Sequence, residues 1–137
     1  MAEDPLGGDG LIIDRETDDQ MFTEHVYVPR RAETDVGELV VEALEHKVKK
    51  GDAYAEGRTL VILSDAIGKW YPNRVARQIA GTHKFKGVWV MHLDAASVAE
   101  GSYSYMVAEL DVSEGDAPVS QVIIAEDFGS WVVERVQ

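Results

Sequence analysis

Apolar positions along the chain change period repeatedly, and those changes outline the fold. Leu11-Ile12-Ile13 is a short apolar run followed by an acidic turn from Asp14 to Asp19. Met21 to Val28 is rich in strand formers and stops at Pro29, which together suggests an N-terminal hairpin. From Asp35 to Lys50 the period becomes helical. Val36, Leu39, Val40, Ala43, Leu44 and Val48 form one apolar stripe, Asp35 stands at the N-cap with Glu38 three residues on, and Gly51 ends the run. Leu60 to Leu63 is a continuous apolar run, as expected of a strand buried on both faces. Pro72 opens a second helix over about 72–80, and Gly87 to Leu93 reads as another central strand. Strand, helix and strand with short links make a βαβ unit with parallel strands and a right-handed crossover.

The last third alternates with period two. Met106, Ala108, Leu110 and Val112 share one side of a strand beginning at Tyr103, and Tyr105, Val107, Glu109 and Asp111 share the other. Strands over 119–125 and 131–136 follow, separated by turns at 113–118 and 126–129. The expected fold is therefore α/β: one mixed β-sheet with a βαβ unit, a C-terminal antiparallel meander and two main helices. Residues 1–10, with Gly7-Gly8-Asp9-Gly10, read as a flexible lead, and 11–137 as one domain.

Composition narrows the chemistry. The 137 residues include no cysteine, so disulfides, thiolate metal sites and cysteine nucleophiles are excluded. No stretch approaches the ~20 apolar residues that span a bilayer, and the acidic N-terminus lacks the features of a secretory signal. A cytoplasmic protein that makes no membrane contact is expected. The net charge is −12 and is unevenly spread: −7 over residues 1–35, +3 over 36–92 and −8 over 93–137. Acidity on this scale disfavours binding to phosphate backbones and favours a basic protein partner.

No phosphate-binding glycine loop, H-E-x-x-H, G-x-S-x-G or RNA-binding aromatic motif occurs. Topology supplies one candidate ligand site, because open α/β sheets bind ligands beyond the carboxyl ends of their parallel strands. Those ends carry Asp65, His92 and Asp94, and the following loop and helix add Lys69, Trp70, Tyr71 and Arg74. Two carboxylates and a histidine are metal ligands or proton carriers, and the aromatic-basic cluster suits stacking on a base or sugar.

Residues 38–94 also resemble the second half of restriction-endonuclease-like domains of the PD-(D/E)xK type. The similar features are an apolar helix ending in lysines, Tyr54, the strand Leu60 to Leu63, a basic helix, and the strand Phe85-Lys86-Gly87-Val88-Trp89-Val90. The resemblance implies a hairpin that supplies an Asp and a Glu-x-Lys, which hold Mg²⁺ and place a water against a phosphate. Asp14 matches the Asp and Glu24 the Glu. Val26 stands at the lysine position, with Lys47 on the helix as the substitute.

Three functions follow as expectations. The first is an acidic binding protein without catalytic activity or cofactor, which meets a basic protein partner and pairs with itself through a terminal edge strand. The second is a ligand or metal site at the strand ends. The third is a Mg²⁺-dependent nuclease using Asp14, Glu24 and Lys47.

Overall fold

The structure is a computed structural model that describes residues 10–29, 35–65, 70–97, 102–111, 116–125 and 131–136. Seven strands form one sheet in chain order: β1 (Gly10–Ile13), β2 (Gln20–Val28), β3 (Arg58–Ser64), β4 (Gly87–Ser97), β5 (Ser102–Glu109), β6 (Val119–Ala125) and β7 (Trp131–Arg135). Helix α1 (Val36–Val48) and the one-turn α2 (Asp52–Ala55) link β2 to β3, and α3 (Pro72–Ile79) links β3 to β4. β2, β3 and β4 are parallel neighbours, and every other pairing is antiparallel. This is the mixed sheet, βαβ unit and C-terminal meander expected from the sequence. The expected lead and the turn at 126–129 lie outside the described residues, as do residues 113–115 of the other turn and Val112 at the end of the preceding strand, except that Gly10 already belongs to β1.

Local chemistry sets the helix limits. The Asp35 carboxylate accepts the Glu38 N–H at 3.1 Å, which satisfies one of the donors left over at the start of α1. Gly51, at φ 100°, turns the chain out after α1 in a conformation that strongly favours glycine. Gly37 serves close packing instead, since a Cβ there would stand 3.2 Å from the Val75 methyl of α3. Asn73, in the first turn of α3, donates to the Asp116 carboxylate at 2.9 Å and accepts the Ala117 N–H at 2.7 Å. That pair of bonds ties α3 to the approach to β6.

Cross-strand register divides the sheet into two faces. Val26, Ile62, Val90, Ala108 and Val119 lie in one row across five strands. These residues join Leu39, Val40, Leu44, Val75 and Ile79 of the helices in a single core cluster. Leu60, Ile62, Val88 and Val90 have no exposed surface. Val61 is also buried, at 5% exposure, yet it stands outside that cluster. It points to the opposite face, between its register partners His25 and Trp89. Both helices therefore pack on the same face.

Neighbouring residues of β3 should then respond very differently to truncation. Ile62→Ala removes packing from the core and is expected to cost about 2–5 kcal/mol. Leu63→Ala, at a position 37% exposed on the other face, is expected to cost less than about 1.5 kcal/mol. Urea unfolding of the two variants measures the difference.

Candidate functional site

Register separates the expected strand-end cluster. Ser64 lies opposite His92, and both are buried on the helix-bearing face. Asp65 is one residue further on and turns the other way, where its carboxylate accepts the Tyr27 hydroxyl at 2.5 Å. Asp65 and His92 thus belong to opposite faces of the sheet and do not converge. Trp70 is half-buried and packs against the core. Tyr71 is exposed, with the Arg74 guanidinium 5.0 Å from its ring centre. Asp94 falls at the register shift in β4, and its side chain lies outside the described residues, as does Lys69.

The three nuclease candidates are also spread out. Asp14 begins the hairpin turn, and its carboxylate accepts the N–H groups of Glu16 and Thr17 at 2.8 and 3.3 Å. Glu24 lies four residues past Gln20, the first residue of β2, or about 13 Å along the strand. Lys47 sits half-buried in the last turn of α1. Among the described residues, no three histidines or carboxylates stand together in a way that could hold a metal ion.

Glu24 instead occupies a sealed structural cluster. It is 3% exposed, and its Oε2 accepts the Tyr54 hydroxyl at 2.6 Å. The Arg58 guanidinium lies 3.7 Å from Oε1 and donates to the Tyr54 carbonyl at 2.8 Å. The Tyr54 ring meets Phe85 edge-on at 6.4 Å, with Lys50 at 5.0 Å and Arg58 at 5.2 Å from its centre. A buried carboxylate is costly unless paired and hydrogen-bonded. Tyr54 satisfies Oε2, while Oε1 has the Arg58 charge beside it but no hydrogen bond, and the cluster fixes α2 to β2 and β3. Beside Phe85, the His83 Nδ1 accepts the Phe85 N–H at 3.1 Å, so that nitrogen carries no proton. Burial pushes the His83 pKa below its ordinary value, partly opposed by the Asp111 charge.

The sheet face opposite the helices carries an apolar surface among the described residues, and motif reading missed it. One register row runs Tyr27, Leu63, Met91, Val107, and a second runs Tyr105, Val122, Val133. Trp89 sits beside Val61, and Tyr103 lies opposite Ile124. Trp89, Met91, Tyr103, Tyr105, Val107, Val122 and Ile124 are all half-buried, while Val133 is exposed. Carboxylates border the patch: Asp65 beyond Leu63, and Glu109 opposite Trp89. A sequence signal existed. The strand at 103–109 is apolar on both alternating sides, which a strand with one solvated face has no need to be. On the helix side, a cleft of about 310 Å³ lies between the end of β2 and α1. Val26, Val28 and Leu39 line it, with Glu42, Glu45, His46 and Lys49 also in its wall.

No family model, curated protein or solved structure matches this chain. Among the described residues, no helix is long and apolar enough to cross a membrane.

Two outcomes test these local assignments. Tyr54→Phe withdraws the donor from buried Glu24 and is expected to destabilise the fold by about 1–3 kcal/mol in urea titration. His83 binds a proton more weakly folded than unfolded, so the unfolded state gains protons first as pH falls through 6.5. Its contribution to stability is complete above that pH and declines below it. Melting curves from about pH 8 to about pH 5 should show wild type losing stability relative to His83→Gln on acidification.

Proposed function

We propose that the chain is a non-enzymatic interaction domain whose open sheet face receives a basic protein partner. The observation that carries this reading is the apolar and aromatic patch around Trp89 and Met91, bordered by Asp65 and Glu109, on the face opposite the helices. Large exposed apolar patches rimmed by polar groups mark interaction sites. Half-buried tyrosines and a tryptophan supply rigid contact area at low entropic cost. The net charge of −12 steers a cationic partner toward that patch and repels polyanions. The buried Glu24 and the divided Asp65 and His92 give this reading no catalytic group.

Photo-cross-linking from position 91 in the source cell, followed by titration of the purified cross-linked protein, tests the proposal. The expected result is a cationic protein that binds one to one. Trp89→Ala or Met91→Glu should weaken it by at least about tenfold at a temperature where both variants remain folded, as loss of a central contact does. Raising ionic strength from about 0.1 to about 1 M should weaken it as well. A partner indifferent to both substitutions, or no cross-linked protein at all, contradicts the proposal.

A further inference from the structure

Strand β7 ends the sheet, and among the described residues no strand pairs with its outer edge. Val132, Val133 and Val136 are 64%, 60% and 49% exposed, so the edge is apolar on both of its faces. The Val136 N–H donates to the Val119 carbonyl. Hydrogen-bonded pairs alternate in an antiparallel ladder, so the amides of Val132 and Glu134 also face β6, and those of Trp131 and Val133 point outward. An outward row of backbone groups beside exposed valines is a template for another strand.

We infer that a second copy of this chain adds through β7, antiparallel, with the two-fold axis between the two Val133 residues. Register follows from geometry and charge. An antiparallel partner must oppose outward residues with outward residues, which allows only registers spaced two apart. Centring on Val133 sets Trp131 opposite Arg135 and Val132 opposite Glu134, so no like charges meet. Moving the centre to Glu134 or Arg135 puts identical charges face to face, which is destabilising, and moving it to Val132 pairs only Trp131–Val133 instead of the whole of β7. Residues 131–136 carry one acid and one base, a neutral edge on a chain of net charge −12. The opposite edge is guarded. β1 also exposes Leu11, Ile12 and Ile13, but it runs directly into the turn Asp14–Asp19, with net charge −3. Like charges there repel a second copy, the usual protection of an edge strand.

Pairing at Val133 also makes the open faces continuous. Val133 ends the row Tyr105, Val122, Val133, and the two-fold axis extends it into the same row of the second copy. The dimer is then one sheet of fourteen strands with both open faces on one side.

Sedimentation equilibrium tests this directly, and the absence of cysteine makes cross-linking clean. Wild type should sediment as a dimer at about 100 µM, with self-association strengthened by salt as repulsion between two acidic copies is screened. Binding of a basic partner responds to salt in the opposite sense, so failure of either proposal is seen separately. Val133→Pro removes only an outward N–H and should weaken the dimer by about tenfold or more at unchanged melting temperature. Val133→Lys should do the same by placing two like charges at the axis, and it carries the test if the proline variant does not fold. Val133→Cys should form a covalent dimer on oxidation, with Cα atoms about 5.5 Å apart, and Ile12→Cys should not. A monomeric wild type, a dimer untouched by the Val133 substitutions, or preferential cross-linking at position 12 overturns the inference.

Discussion

Two right-handed crossovers taken in the same direction along a sheet leave both helices on the same face, and the rest of this structure depends on that constraint. The chain advances one strand at a time from β2 through α1 to β3 and through α3 to β4. Neither link reverses direction, so no helix is sent to the other side. The core therefore forms once, from Leu60, Ile62, Val88 and Val90 against Leu39, Leu44, Val75 and Ile79. The other face is buried at one end, at Thr23, Thr59 and Val61, the last closed in by His25 and Trp89. Side chains further along, such as Leu63 and Val133, keep substantial exposure.

Polar groups follow the same division. On the helix side, burial is deep enough that Glu24 needs both Tyr54 and Arg58, and the cluster doubles as the anchor of α2. On the open side, Tyr27 and Asp65 bond to each other in solvent, where an unmet hydrogen bond costs little. A carboxylate taken alone suggests chemistry in either place. Its surroundings show that one is a fastener and the other a rim.

Much of the fold was legible because local signals agreed. The α1 stripe, its Asp35 cap and its Gly51 stop all specify one helix, and it forms over 36–48. Pro72 marks the start of α3 as expected. The four-residue α2 was missed because a single turn shows no periodicity. The candidate site was harder to read because facing is a property of register, which is non-local. Ser64 and Asp65 are neighbours in sequence, but the pairing of Ser64 with His92 sends Asp65 to the other face. The apolar run at 60–63 was taken to mean cover on both sides. Leu63, at 37% exposure, shows that such a run can also face an uncovered surface.

An acidic domain with one packed face and one open apolar face has a simple physical requirement: the open face must find a partner or tolerate water. The central claim is that the middle of this face is accessible while its counterpart beneath the helices is sealed; toward β6 and β7 the helix-side face is exposed too, at Ile123 and Val132. Methyl NMR with a neutral, water-soluble paramagnetic agent measures this directly. Broadening should be strong for Leu63, Met91, Val107 and Val122, and weak for Leu60, Ile62, Val88 and Val90, although the two sets share the same strands or lie on adjacent ones. Equal protection of both sets would mean that the second face is covered, and would contradict the account.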